Sequence, residues 1–328
     1  MTGSNDVKKN IITVSDLVAQ EQFIAADGTH VPFFSGVSFE AAGGEAFGIC
    51  ATDPKAADAL CRIIGNTNPY FSGSCRIGPI GTMQKKRKIL PHVFNIDAPD
   101  MLIEQASVLE NVMLVTLPGS GGVDATDRED AMLDVIIECG LGYLALCQVS
   151  SLSGNEKLLV ELMISYLSKC MIVVFNVTDV TFSQKEVETV VNIVSMLRKA
   201  DKCVVISTMQ PKVIGMVCDK TLYIHQGVQL FSGTVEELCK NADKVGFVLR
   251  ASDAEAVAKK LESLVPGWEC DVDGQTVYVF NYSGNPTVAA DFYRLLSEND
   301  ICPDMIKSNK GRVENSYTEL LRNYALHR

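Results

Sequence analysis

Three short apolar runs most constrain this chain: Ala46-Phe47-Gly48-Ile49-Cys50, Met171-Ile172-Val173-Val174-Phe175 and Val204-Val205-Ile206-Ser207-Thr208. Each has the length and branched-residue content of a strand buried on both faces. Helical patterns separate them. Residues 56–64 place Ala59, Leu60, Ile63 and Ile64 on one face, and residues 185–198 place Val187, Val190, Val191, Val194 and Leu197 at helical spacing. Such alternation predicts an α/β domain with a mixed sheet at its core. Before the second run, Leu152-Ser153-Gly154-Asn155-Glu156 opens a further helix over residues 157–168, with the Ser-x-x-Glu spacing of a capping box.

Earlier strands are expected at residues 11–14 and 36–39. Residues 106–146 read as mostly helical, interrupted by the loop at residues 118–122. A boundary falls near Asn241-Ala242-Asp243, which divides the chain into residues 1–240, with a helical subdomain at about 97–170, and residues 244–328. The second part reads β-α-β-β-α-β, the split, ferredoxin-like α+β plan. Its cues are a strand at 246–250, a Ser252-x-x-Glu255 cap on a helix to Leu264, and a hairpin across Asp273-Gly274 joining 268–272 to 276–280. Asn285-Pro286 then starts a helix ending near Leu296, and a last helix spans about 314–324.

Composition narrows the class. At 328 residues and 47% hydrophobic content the chain can bury a large core. No apolar stretch approaches the ~18 residues of a membrane span, and the N-terminus lacks the order of a secretory signal. Eleven cysteines include no C-x-x-C pair. That excludes a zinc knuckle and a secreted disulfide framework, and Cys50, Cys61, Cys170 and Cys203 read as small core hydrophobes in a reducing compartment. A soluble cytoplasmic protein is the expectation. A net charge of −11 argues against nucleic acid as a partner, and the basic run Lys85-Lys86-Arg87-Lys88 reads as a solvated loop.

The order of a glycine-opened loop at Gly48, the Leu152–Glu156 pentapeptide and two buried strands resembles the ATP-binding cassette of ABC transporters, whose signature is L-S-G-G-E. The ending is similar to the small C-terminal domain of exporter-type cassettes, with Val313-Glu314-Asn315-Ser316-Tyr317 resembling a short motif before the last helix.

Against that family the phosphate machinery is degenerate. Residues 48–60 hold the place of a P-loop, where glycines free backbone N–H groups to wrap phosphates, a lysine bridges them and a hydroxyl holds magnesium. Here Gly48, Ala51 and Asp53 lead into Pro54, Lys55 and Ala56, so two loop glycines are lost. Ala57 takes the lysine position, Asp58 the hydroxyl position, and Ala59 follows. Asn95 replaces the glutamine of the Q-loop, Asn176 and Val177 replace the magnesium aspartate and catalytic glutamate of Walker B, and Met209 replaces the switch histidine. None of His30, His92, His225 or His327 sits where it can substitute. Only the signature Leu152, Ser153, Gly154, Asn155, Glu156 survives, with Asn155 for glycine adding bulk beside a phosphate.

Because phosphoryl transfer rests on positioning and charge, losing these groups together implies a pseudo-ATPase with no metal or nucleotide of its own. The resemblance implies a degenerate nucleotide-binding subunit of an ABC exporter. It pairs with an intact cassette that binds ATP and magnesium, offers its signature in trans, and sits at the cytoplasmic membrane face through permease subunits that meet the region 97–150. Two alternatives stand beside this: a scaffold or regulatory protein outside a transporter, and an ATPase with rearranged ligands in which Lys55 serves as surrogate lysine.

Overall fold

The computed structural model describes residues 10–24, 28–83, 92–116, 125–241, 245–265, 268–281, 289–308 and 313–326. The basic run at 85–88, the loop at 118–122, Asn285-Pro286 and His327 lie outside them. Two compact units divide the chain, Met1–Val235 and Glu236–Arg328.

The first unit begins with β1 (Asn10–Ala19), β2 (Gln22–Ile24), β3 (His30–Pro32), β4 (Val37–Ala42), β5 (Ala46–Ala51) and α1 (Pro54–Ile64). It continues with β6 (Tyr70–Ile77), β7 (Ile80–Gly81), β8 (Val93–Ile96), α2 (Val108–Thr116), α3 (Ala125–Glu138) and α4 (Gly154–Leu167). Then come β9 (Ile172–Asn176), α5 (Gln184–Lys199), β10 (Cys203–Ser207), α6 (Pro211–Val217), β11 (Lys220–His225) and β12 (Val228–Thr234). The central sheet has the order β12-β11-β5-β10-β9-β8. Its strands from β11 to β8 are parallel, and β12 is the antiparallel edge. The three apolar runs of the sequence are adjacent here: β5, β10 and β9 are buried at every residue. A second, antiparallel sheet runs β4-β1-β6-β7. Between the two sheets, α1 presents Ala56, Ala57, Leu60 and Ile64 to a core that includes Phe47, Ile49 and Val205.

Local signals set the helix ends. Ser153 and Ser183 each form a reciprocal capping box with the glutamate three residues on, which satisfies two otherwise orphaned donors at the starts of α4 and α5. The far end of α4 is closed by a buried cation. Lys202 is 5% exposed and donates to the carbonyls of Ser165 and Ser168 at 2.8 and 2.6 Å. Burial lowers its pKa, yet these acceptors at the negative helix end hold it in place. Lys202→Met strands both carbonyls, and a loss of about 2–3 kcal/mol is expected in urea unfolding. An unchanged midpoint would show that water takes over these bonds.

The second unit contains α7 (Val235–Asn241), β13 (Val245–Arg250), α8 (Ala254–Leu264), β14 (Trp268–Asp273), β15 (Thr276–Asn281), α9 (Ala289–Glu298), β16 (Met305–Ser308) and α10 (Val313–Leu326). Its sheet is antiparallel in the order β14-β15-β13-β16. Phe292 stacks on Phe247 and meets Trp268 at a tilt of 40° in its core. Local details differ from the sequence expectation. The two compact units meet at Val235–Glu236, one residue into α7, a few residues before the boundary expected near residue 241. Asp253 rather than Ser252 caps α8, accepting from Ala256 N at 3.1 Å. Asp273 ends β14, and Gly274 with Gln275 makes the turn, Gly274 at φ +57°. Residues 313–317 form the first turn of α10 instead of preceding it, with Ser316 and Tyr317 buried.

The described cysteines are free thiols. Burial pushes Cys50, Cys61 and Cys203 up to about 12, whereas Cys170, read from sequence as core, is only half-buried. Among the described residues no helix is long and apolar enough to cross a membrane, and no three His, Cys, Asp or Glu side chains cluster to hold a metal.

Candidate functional site

The corner between β5 and α1 is where the sequence places a P-loop, and it is not a loop. The helix begins at Pro54, two residues before the expected Ala56, so only Thr52 and Asp53 separate it from the strand. The signals for this start are a capping aspartate followed by proline at the first helical position. The consequence for donors is severe. Thr52 N donates to Ile224 O at 2.9 Å, and Pro54 has no N–H. Lys55 N donates to Asp53 Oδ1 at 2.9 Å, and Ala56 N to Asp53 O at 3.1 Å. By Asp58 the backbone is an ordinary helical donor to the residue four before it. The anion-binding end of this helix is thus filled by the chain's own carboxylate.

Side chains close what the backbone leaves. Ala57, at the lysine position, is 0% exposed and packed into the core. Asp58, at the hydroxyl position, accepts from Asn176 Nδ2 at 2.6 Å and pairs with Arg62 at 2.9 Å. The Asn176 Oδ1 accepts from Thr178 Oγ1 at 2.7 Å, and Thr178 Oγ1 lies 2.7 Å from Ser207 Oγ. The two positions that share a magnesium ion in the family pattern are here a carboxylate and an amide bonded directly to each other. Val177 is 1% exposed and its N–H goes to Ser207 O at 2.9 Å, so no group is aimed at a water. Neither a nucleotide's phosphates nor magnesium fits these residues: the donors are taken, the lysine is absent, and the carboxylates of Asp53 and Asp58 are already spent on Lys55 N, Asn176 and Arg62. Lys55 is exposed on the first turn of α1.

Two expected site residues stand apart. Asn95 belongs to a strand rather than a loop, and its side-chain oxygen would lie 2.6 Å from a Cβ added at Gly65, just past the far end of α1. It is not brought to the Asp58–Asn176 pair. Met209 is 36% exposed beyond β10, and its neighbour Gln210 does more. The Gln210 amide accepts from Phe182 N at 2.8 Å and donates to Phe182 O at 3.1 Å.

The signature forms as a helix start. Ser153 is the N-cap of α4, and its Oγ accepts from Glu156 N at 3.2 Å and donates to Glu156 Oε2 at 2.8 Å. Leu152 is buried beneath it, while Ser153 and Gly154 are exposed. A Cβ built at Gly154 meets no atom within 4 Å. The Asn155 side chain donates to Thr181 O at 3.1 Å, so it is engaged within the chain instead of standing as free bulk at the helix end. The segment after β9 is therefore held at successive residues, Thr181 by Asn155 and Phe182 by Gln210. Sequence reading did not single out Thr178, Ser207 or Gln210 for these roles. The only signal was polar residues at the carboxyl ends of buried parallel strands, where α/β sheets place their sites.

No protein-family model matches the chain. Solved structures do resemble it. A dimeric ATP-binding cassette, MJ0796, in a post-hydrolysis state with ADP and Pi is 17% identical, covering 68% of this chain and 98% of its own, with a TM-score of 0.54. CbiO1 from Clostridium perfringens, described as part of the ABC transporter complex cbiONQ, is 16% identical over 79% of this chain and 97% of its own, at 0.56. The ADP form of MJ1267, an ATP-binding cassette of an ABC transporter, is 16% identical over 71% and 94%, at 0.56. At these identities the likeness is one of fold, and the fold is that of the ABC cassette.

Proposed function

We propose that this chain is a nucleotide-binding-fold subunit of an ABC exporter that has given up its own ATP site and lends its signature helix to an intact partner cassette. The observation that carries the reading is the contrast between two helix starts on one fold. At α1 the first-turn donors are consumed by Asp53 and the metal positions are bonded to each other. At α4 the Gly154 and Asn155 N–H groups stand at an open helix end, with Ser153 beside them. A helix start of this kind attracts an anion held by another molecule. On this reading the region 97–150 meets permease subunits, and the cytoplasmic membrane face is reached through them. The exposed Ile137, Tyr143 and Leu146 in that region fit a protein-covered surface.

The isolated chain is expected neither to hydrolyse ATP nor to bind Mg-ATP at millimolar concentration in calorimetry. Micromolar affinity, or turnover lost on Lys55→Ala, overturns this and restores Lys55 as a surrogate lysine.

A further inference from the structure

Between β9 and α5 runs a segment, residues 177–183, that belongs to no helix or strand. Side chains from α4, β10 and the start of α6 nevertheless bond to it. At its near end Val177 N donates to Ser207 O at 2.9 Å, and Thr178 Oγ1 lies 2.7 Å from Ser207 Oγ. Thr178 also donates to Asn176, the partner of Asp58, so the pair that closes the former metal positions steadies this end too. At the far end Phe182 is buried and stacked on Phe175, with ring centroids 6.1 Å apart. The Gln210 amide holds both its N–H and its C=O, and Gln210 N donates to Thr208 Oγ1 at 3.1 Å. The segment is thus built onto the sheet from both ends.

Against this base rests the start of α4, through Asn155 Nδ2 and Thr181 O at 3.1 Å. Thr181 is exposed, so water could serve its carbonyl equally well, and burial does not demand the bond. Its effect is geometric. Ser153 and Glu156 spend their side chains on each other within the helix start, and Gly154 has open space where a side chain would stand. Asn155 reaches across to the core.

We propose that Asn155 is a positioning residue: its amide locks the start of α4 to the segment 177–183, and so to the sheet, in one orientation that needs no nucleotide in this chain. This rests on the signature's role in trans, and adds a lock that the glycine of the family pattern has no side chain to make. A helix start already in place meets the partner's phosphate without first being ordered, and a competent state that is always populated carries no population penalty. Loss of the lock therefore raises the KM of the partner's site for ATP and leaves kcat alone.

Hydrogen exchange on the isolated chain tests the lock, and turnover of the complex tests its use. In Asn155→Ala and Asn155→Asp the amides of Val180 and Phe182, bonded to Val177 O and Gln210 Oε1, are expected to exchange about threefold faster or more. Alanine is the best helix former and aspartate suits a first turn, so the melting temperature should hold in both. Aspartate has the shape of asparagine but no donor for Thr181 O. With an intact cassette, Asn155→Ala should raise the KM for ATP about three- to tenfold, the worth of one hydrogen bond, at parental kcat. Unchanged exchange in both variants overturns the lock whatever the complex does. Faster exchange with an unchanged or lower KM, or with a fall in kcat instead, overturns the positioning role in a complex whose turnover Gly154→Asp suppresses. If Gly154→Asp has no effect on turnover, the trans reading fails, and faster exchange still upholds the lock.

Discussion

Gly154→Asp is expected to cut the ATPase activity of the complex formed with an intact cassette by roughly 10- to 150-fold. The figure follows from the about 1.5–3 kcal/mol of a charge-assisted contact, here reversed in sign by a carboxylate placed at the helix start where the partner's γ-phosphate arrives. The structure makes the variant clean. Gly154 is exposed, its backbone does not require glycine, and an added Cβ meets nothing within 4 Å, so the fold should be untouched. The measurement is turnover of the co-purified complex beside the melting temperature of the isolated chain. Lys55→Ala, on the exposed first turn of α1, should leave turnover unchanged. Parental turnover in Gly154→Asp would reduce the signature to a helix cap and bring the scaffold reading to the front.

Restoring the P-loop residues should do harm instead of repair. Ala57→Lys drives a long cation into a fully buried position of α1, between sheets already packed with Phe47, Ile49 and Val205. Overpacking and an unpaired buried charge together cost about 3 kcal/mol or more. Adding Asp58→Ser removes the acceptor of Asn176 Nδ2, a further 1–3 kcal/mol, roughly, for a buried donor left unsatisfied. Against a typical total of about 5–15 kcal/mol, the double variant should lose about 10 °C or more in thermal unfolding and show no ATPase activity. A stable, hydrolysing double variant would mean that the start of α1 can melt back into a loop and that Val177 is no obstacle.

Much of this was legible in the sequence. The strands β5, β9 and β10 announced themselves as short apolar runs, and Ser153 and Glu156 named the start of α4 through the capping box. The residue types at Ala57, Asp58, Asn176 and Val177 already departed from the family's phosphate-site pattern. What the residue types did not reveal was what replaced it. Asp53-Pro54 is a helix-start signal, but the expectation of a loop masked it, and the early helix is what consumes the donors. Asn155 read as bulk beside a phosphate because its partner, Thr181, is 26 residues away in the chain.

The direct bond between Asp58 and Asn176 also bears on descent. The acid and the neutral group stand on the opposite elements from those of a magnesium site, so each accommodates the other. Asn176→Asp alone sets two carboxylates almost in contact, a repulsion of about 4 kcal/mol at 4 Å in a protein-surface dielectric and more when closer. Asp58→Ser alone strands the amide. Either first step back towards a metal site passes through a less stable protein, and Ala57→Lys is worse than both. Selection acts on one substitution at a time, so a magnesium site of the family pattern is separated from this arrangement by less stable intermediates. On the proposed reading, a lineage holding this pair is expected to drift further from nucleotide use while its signature helix stays under constraint from a partner.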